Sequence, residues 1–340
     1  MRNNNRQWIL KKRPVGDISK DDLELIESNI PEPKDGEALL QNVYLSLDPT
    51  NRIWMSDMDQ YMPPVELNEV MRGGVVGKII KSNHSSLPEG SFVSSFTCGW
   101  QDYCLVKPEE VNILPGDLPL PLTAYMSAAG LTGFTAYFGF LSITKPKEGE
   151  TVVVSTAAGA VGSIVGQLAK MKGCKVIGLT GSDEKCKWLR EELCFDGAIN
   201  YKTGDVLEEL KTACPEGIDI YFDNTGGIIL DAVLKLIKLN ARISVCGLIS
   251  TYNSKEPAPG PYNYGNILMK RAKVEGFIVS DFAEEFPNAL NDLSNWILEG
   301  KIKYNVDIQK GLENALVALD RLFTGDNTGK LILEVSKEEG

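Results

Sequence analysis

Histidine is almost missing from this chain, with His84 alone among 340 residues. The seven cysteines, Cys98, Cys104, Cys174, Cys186, Cys194, Cys214 and Cys246, are odd in number, scattered, and never spaced as C-x-x-C. Zinc sites draw thiolates and imidazoles from close, regular spacings, so no metal site is expected. A disulfide framework is not expected either, and the cysteines read as reduced thiols of a cytoplasmic protein. Basic excess is also lacking. The formal charge is −11 and no basic block offsets it, which argues against nucleic acid and against an anionic membrane surface as partners. No apolar run approaches the roughly 18 to 20 residues that span a bilayer. Met1 to Arg13 has only Trp8, Ile9 and Leu10 as an apolar run, too little for a secretory signal, and its start, Met1 to Asn5, reads as a frayed end. Internal repeats and low-complexity segments are absent as well.

What is present is ordinary globular composition, 43% hydrophobic and 24% charged, in a length that suits two domains. The stretch from Glu150 to Gly173 organises the rest. Thr151 to Val154 is a short β-branched run, suited to a buried parallel strand. Small residues follow from Ser155 to Gly162, and then Ile164, Val165, Leu168, Ala169 and Met171 recur at helical spacing, with Gly166 facing back toward the strand. Strand, tight turn and helix are the context in which a glycine-rich turn brings backbone N–H groups and a helix N-terminus to a pyrophosphate. Gly159 and Gly162 fit that use, although Ala157 stands where the first glycine of G-x-G-x-x-G would be. The other reading is a strand-to-helix turn kept small for packing.

Lys175 to Leu179 makes the next strand. An NAD-specific site tends to place an acid at its end to hold the ribose hydroxyls. Here Thr180, Gly181 and Ser182 stand there, with Lys185 one turn on. Lys185 either neutralises a 2′-phosphate, which points to NADP(H), or is a solvated residue behind a Ser182 cap.

Short strands between turns run from Trp8 to about Leu122 (Trp8 to Lys11, Glu37 to Leu47, Gly74 to Lys81, Ser91 to Phe96 and Trp100 to Leu105) and suggest a β-barrel-like module. Within it, Leu45 to Pro49 with Arg52, the Tyr61 to Pro64 loop, and Glu69 to Gly77 stand out as more than generic. Ala124 to Leu141 is expected as one helix with a soft spot at Thr132 and Gly133. Strands then alternate with helices through Cys246, which predicts a doubly wound parallel sheet. Tyr201, Asn224 and the Gly247 to Tyr252 turn fall at strand carboxyl ends, where ligands bind in such sheets. Val274 to Val279 is expected as a strand, Leu312 to Phe323 as a helix, and Lys330 to Val335 as a last strand returning to the first domain.

These markers, together with Gly181 to Lys185, Asn200-Tyr201-Lys202, Tyr221 to Asn224 with Gly226-Gly227, Cys246-Gly247 with Ser250 to Tyr252, and Gly325 to Asn327 with Gly329-Lys330, resemble the zinc-independent medium-chain dehydrogenase/reductases. The similar branch is the 2-alkenal and prostaglandin (leukotriene B4 12-hydroxydehydrogenase-like) reductases, and the likeness runs the full length. It implies an α/β fold, with a GroES-like β-barrel catalytic domain over residues 1–123 and 305–340 and an NADPH-binding Rossmann domain over 124–304. It implies that Ala158, Gly159, Ala160, Val161 and Gly162 hold the pyrophosphate, and that Lys185 and Tyr201 hold the 2′-phosphate. Asn224, Cys246, Gly247, Ser250, Thr251, Tyr252, Phe277, Ile278, Val279 and Asn327 would line the nicotinamide half. Two positions depart from the family pattern. Met269 stands where many members carry the tyrosine that bonds the substrate carbonyl, and Thr50 replaces a common tyrosine after the Asp48-Pro49 turn. Tyr61 is the replacement candidate, with Tyr264 and Tyr252 behind it, and Tyr61, Met62, Tyr252, Tyr262, Tyr264 and Met269 are candidate walls of the substrate pocket.

The function that follows is NADPH-dependent reduction of the C=C bond of α,β-unsaturated aldehydes or ketones by a homodimer, with hydride to the β-carbon and the enolate held by a tyrosine and the cofactor's ribose hydroxyl, without a metal. Strands near Arg242 to Cys246 or Val274 to Val279 are the candidates for pairing across the two-fold axis. Three rivals remain: an NADPH quinone reductase of the same superfamily, a weakly catalytic NADPH-binding protein with a regulatory or RNA-binding role, and a cofactor-stabilised structural protein.

Overall fold

The computed structural model describes residues 4–338. Contacts divide it into two compact units. One holds the residues up to 126 with 306–327 and 331 onward, and the other holds 127–305 with 328–330.

The first unit opens with β1 (Asn4–Leu10) and β2 (Leu23–Asn29), an antiparallel pair. Of the start expected to fray, Met1 to Asn3 lie outside the described residues. Asn4 and Asn5 already belong to β1, because the buried Asn5 side chain donates to the Tyr103 carbonyl at 2.9 Å and accepts the Tyr103 N–H at 2.9 Å. Then come β3 (Ala38–Ser46), a short helix α1 (Thr50–Trp54), β4 (Val75–Ser82), β5 (Phe92–Ser95), β6 (Tyr103–Val106), β7 (Val111–Ile113) and α2 (Leu122–Tyr125). Neither β2 nor β7 is expected from the sequence. β2 alternates Glu with Leu and Ile weakly, and β7 has only three residues.

The expected helix over Ala124 to Leu141 is broken. After α2 the chain turns at Ser127–Gly130, restarts as α3 (Leu131–Tyr137) and widens into a π-turn over Phe138–Ser142. The break sits at Gly130, whose backbone is extended, and Thr132 donates its hydroxyl to the Ser127 carbonyl at 3.0 Å. Local bonding of this kind competes with helix continuation.

The second unit alternates strand and helix: β8 (Thr151–Val154), α4 (Gly162–Met171), β9 (Lys175–Thr180), α5 (Asp183–Glu191), β10 (Gly197–Asn200), α6 (Val206–Ala213), β11 (Ile218–Asp223), α7 (Gly227–Leu236), β12 (Ile237–Val245), α8 (Gly265–Lys270), β13 (Lys273–Gly276) and α9 (Phe286–Leu298). Every pairing among these strands is parallel, in the order β10-β9-β8-β11-β12-β13. The connections change direction between β8 and β11, which is where such a sheet opens its ligand crevice. All four residues of β8 are buried, as the β-branched run predicts. Gly166 is placed against Phe195, where an added Cβ would lie 1.8 Å from the ring.

β13 ends at Gly276, shorter than expected. Phe277 leaves the sheet so that its ring packs on Gly139 and meets Phe222 edge-on at 6.4 Å, and a 3₁₀ turn begins at Val279.

The chain then adds β14 (Val306–Lys310), α10 (Ala315–Thr324) and β15 (Lys330–Glu334). The helix expected from Leu312 starts as a 3₁₀ turn over Leu312–Asn314. β15 pairs antiparallel with β3, as the return of the last strand requires, and the first unit's large sheet runs β14-β15-β3-β4-β5-β7 with β6 also on β3.

One cysteine expectation is overturned. Cys98 and Cys104 form a disulfide, with Cα atoms 5.5 Å apart, while Cys174, Cys186, Cys194, Cys214 and Cys246 are free thiols. Their six-residue spacing spans a turn through Gly99 and Trp100 into β6, a proximity that spacing motifs do not reveal. Among the described residues, no helix is long and apolar enough to cross a membrane.

Candidate functional site

In the second unit the ends of β8 and β11 are laced together. Ser155 Oγ accepts the Asn224 N–H at 2.8 Å, and the Asn224 side-chain amide donates to the Ser155 carbonyl at 2.7 Å. Thr156 and Thr225 share a hydroxyl bond at 2.9 Å. Between them the turn Ala157–Val161 leads into α4, and no side chain caps that helix. In its first turn the Ser163 N–H donates to the Gly159 carbonyl and the Ile164 and Val165 N–H groups donate to the Val161 carbonyl, so the turn itself winds into the helix. A Cβ at Gly162 would lie 2.5 Å from the Thr156 carbonyl and one at Gly159 would lie 3.1 Å from Thr156. The expected pyrophosphate residues, Ala158 to Gly162, thus form one tight cradle that suits a dinucleotide.

A second strand of chain closes on this cradle. Gly329 donates to the Ala158 carbonyl at 3.2 Å and forms a parallel bridge with Gly159. At φ +72° it lies where a Cβ would meet the Asn305 carbonyl at 2.1 Å, so glycine is required there. Asn327, the last of the expected cofactor residues, stands two positions earlier.

At the end of β9 the next side of the crevice forms around Gly181. A Cβ there would be 3.2 Å from the Tyr201 hydroxyl and 3.1 Å from the Lys202 side chain. Ser182 caps α5 by accepting the Lys185 N–H at 3.3 Å, which sets Lys185 in the helix's first turn, half-buried. Asp183, next after the Ser182 cap, accepts from the Asn200 amide at 2.8 Å. Burial raises the Tyr201 hydroxyl above its ordinary value, so it remains a neutral donor. A lysine and a phenol beside Gly181, with Lys185 in the first turn of α5 and Asp183 engaged by Asn200, suit a phosphate better than bare ribose hydroxyls.

Behind Asn224 lies a buried carboxylate. Asp223 Oδ1 accepts the Thr225 and Gly226 N–H groups at 2.9 and 2.8 Å and the Tyr221 hydroxyl at 2.8 Å. Burial pushes the Asp223 carboxyl up. Its backbone carbonyl also accepts from Cys246 and Gly247, and Asn224 and Thr225 carbonyls accept from Ile249 and Ser250. Asn224, Cys246, Gly247, Ser250 and Thr251 are thereby brought together beyond β11 and β12. Burial and the Asp223 charge push the Cys246 thiol up to about 12, so it stays a neutral thiol and not a nucleophile. Phe277, Ile278 and Val279 follow β13, half-buried.

The three candidate tyrosines fall in two places. Tyr252 and Tyr264 belong to the second unit. The Tyr252 hydroxyl accepts the Leu248 N–H at 3.0 Å and closes its own turn, while Tyr264 is 67% exposed ahead of α8. Tyr61 belongs to the first unit, where its hydroxyl accepts the Trp54 indole N–H at 2.8 Å and shares a 2.7 Å bond with Thr50. The Arg72 guanidinium sits 5.6 Å over the Trp54 ring and donates to the Pro63 carbonyl at 2.9 Å. Burial lowers the Arg72 guanidinium from its ordinary value, and the nearby Tyr61 opposes that shift. The half-exposed Tyr61 hydroxyl is therefore the one set into a built polar cluster. Arg52, singled out by the sequence, is structural: buried, it donates to the Pro14 and Gly16 carbonyls at 3.0 and 3.1 Å.

Sequence reasoning missed Lys202, Gly329, Asp223 and Trp54 as site residues. Lys202 and Gly329 lie inside motifs already quoted, and Trp54 shares a face with Thr50 by its four-residue spacing. Nothing local marks Asp223 as buried.

Residues 6–114 match the family described as "N-terminal domain of oxidoreductase", and residues 160–295 match "Zinc-binding dehydrogenase". Among the described residues, no three His, Cys, Asp or Glu side chains are grouped to hold a metal ion. The chain is 42% identical to the NADPH-dependent curcumin reductase of Escherichia coli (strain K12), over 98% of both chains. It is 40% identical to the 2-alkenal reductase (NADP(+)-dependent) of Nicotiana tabacum, again over 98% of both. The crystal structure of CurA in complex with NADPH from Vibrio vulnificus superposes with a TM-score of 0.93 at 43% identity, covering 98% of this chain and 99% of that one.

Proposed function

The chain belongs to the zinc-independent medium-chain dehydrogenase/reductase family, with its GroES-like and Rossmann domains, and from that membership we propose that it reduces the C=C bond of α,β-unsaturated aldehydes and ketones with NADPH. The observation that carries this reading is the crevice beyond β8, β9 and β11, which offers a pyrophosphate cradle and a cationic phosphate pocket around Gly181. Full-length likeness to a 2-alkenal reductase directs it to carbon–carbon double bonds.

When bound, NADPH supplies the hydride that adds to the β-carbon. The chain's own residues do the rest. The Ala158 to Gly162 turn would hold the pyrophosphate, and Lys185 with Tyr201 would hold the 2′-phosphate. Asn224, the Cys246 to Tyr252 turn, Phe277 to Val279 and Asn327 keep the nicotinamide half in place and exclude water. Tyr61 donates a hydrogen bond to the substrate oxygen as negative charge develops there, and a tyrosine or water returns a proton to the α-carbon.

The test is NADPH oxidation at 340 nm with trans-2-nonenal, trans-2-hexenal and a benzylidene ketone, beside a panel of naphthoquinones. Turnover of the enals to saturated carbonyls is the expected result. Turnover of quinones alone would place the chain among quinone reductases, and NADPH binding without any turnover would make it a regulatory binder.

The reading includes a cytoplasmic homodimer. β12 lies between β11 and β13 and has no free edge, which removes one of the two candidate dimer strands. β13 is the edge, with Val274 exposed on it and Leu268 and Met269 exposed on α8 beside it. A bare edge beside an apolar surface invites pairing with a second copy. Light scattering at micromolar concentration is expected to give twice the chain mass, and a monomer mass would remove the dimer from the reading.

A further inference from the structure

Tyr61 is held more elaborately than a lone hydrogen-bond donor needs. The Trp54 indole N–H can only donate, so its 2.8 Å bond occupies one lone pair of the Tyr61 oxygen. The 2.7 Å bond to Thr50 joins two hydroxyls and can run either way. Thr50 and Trp54 are the first and last residues of α1, four apart and so on one face. Trp54 is packed into the first unit's core at 5% exposure, which fixes the direction of its N–H. Its backbone carbonyl accepts the Val65 N–H at 2.8 Å, tying α1 to the loop that carries Tyr61. The Arg72 guanidinium stacks over the indole, close enough for its charge to act on Tyr61. Thr50 is half-exposed and can reach solvent.

We infer that Thr50 and Tyr61 form a two-hydroxyl proton relay and that Trp54 is the positioning residue that orients it. The inference rests on the reading of Tyr61 as the donor to substrate. Before substrate arrives, the Tyr61 O–H donates to Thr50. With a carbonyl oxygen in reach, the Tyr61 O–H turns to it, and Thr50 rotates to donate its own O–H to the lone pair so exposed. The Tyr61 oxygen then has all its positions filled: one proton given to substrate, and two bonds accepted from Trp54 and Thr50. Chains of this kind strengthen each member.

Once hydride has reached the β-carbon, the resulting enolate needs one proton. The Tyr61 O–H bond breaks as the α-carbon C–H bond forms and the carbonyl is restored. The phenolate left behind is held by the Trp54 N–H, the Thr50 O–H and the Arg72 charge. Thr50 passes its proton to Tyr61 and takes one from water. The net change is one hydride from the reductant and one proton from solvent added across C=C.

The experiment measures kcat and KM for NADPH and trans-2-nonenal in Thr50→Val, Thr50→Ser, Trp54→Phe, Tyr61→Phe, and the first and third combined with Tyr61→Phe. Thr50→Val and Trp54→Phe are each expected to lower kcat about tenfold with the NADPH KM unchanged, the loss of one neutral hydrogen bond in the transition state. Thr50→Ser is expected to restore the rate. In the Tyr61→Phe background neither change should cost anything further, because the relay has already been cut. Wild-type kcat in Thr50→Val, or losses that multiply with that of Tyr61→Phe, would overturn the relay. Full activity in Tyr61→Phe would instead overturn the donor reading beneath it. Should Trp54→Phe fail to fold, the Thr50 pair of variants decides the matter.

Discussion

Tyr61→Phe lowers kcat for enal reduction by about 100- to 1,000-fold while leaving NADPH affinity within about twofold. That lies within the roughly 100- to 10,000-fold a positioned general acid contributes. The variant keeps the ring and removes only the oxygen that accepts from Trp54 and pairs with Thr50. Trp54 Nε1 then loses its partner, which adds a stability cost of about 1 to 3 kcal/mol. A fall in melting temperature should therefore accompany the fall in rate. The split between kcat and cofactor binding is the informative part, because Tyr61 lies in the first unit and the dinucleotide crevice in the second. Equal loss in Tyr264→Phe or Tyr252→Phe with a fully active Tyr61→Phe would move the donor to the second unit. Tyr252→Phe is expected to act differently, loosening the 248–252 turn by losing the acceptor of the Leu248 N–H.

Lys185→Ala raises the KM for NADPH about 10- to 100-fold and leaves that for NADH nearly unchanged. A charge-assisted hydrogen bond is worth about 1.5 to 3 kcal/mol, and each 1.4 kcal/mol is a factor of ten. Only NADPH has the 2′-phosphate to lose it. Tyr201→Phe should shift the preference in the same direction but less, since a neutral phenol contributes less than a cation. Asp183 stays engaged by the Asn200 amide and does not become the ribose acid of an NAD site. Steady-state kinetics with both cofactors read the result, and an unchanged NADPH KM would return Lys185 to the role of a solvated helix residue behind its Ser182 cap.

Of the candidate site, the sequence by itself determined the parts that are local in the chain. The β-branched run before small residues and a helical repeat specified β8, its turn and α4. The alternation that follows specified a parallel sheet, since a strand buried on both faces and a helix buried on one leave different periodicities. The Thr180-Gly181-Ser182 end of β9 spoke for a phosphate over bare ribose. Lys330 to Val335 reads as a last strand returning to the first domain, and it pairs there with β3.

The tertiary structure decided what periodicity does not report. Gly329 is a turn glycine until it is placed on Ala158 and Gly159, about 170 positions earlier. Asp223 is an ordinary strand-end acid until burial and three strand ends make it the knot that holds Asn224. Gly130 rather than Thr132 broke the expected helix, because the Ser127 carbonyl outcompeted the next helical turn. Cys98 and Cys104 met through the turn at Gly99. Tyr61, first of the three tyrosines in the sequence already, received its indole N–H and second hydroxyl only from the fold. The physical reason is common to all five. Periodicity reports which face of a segment is buried, whereas a site is made by which segments share that face.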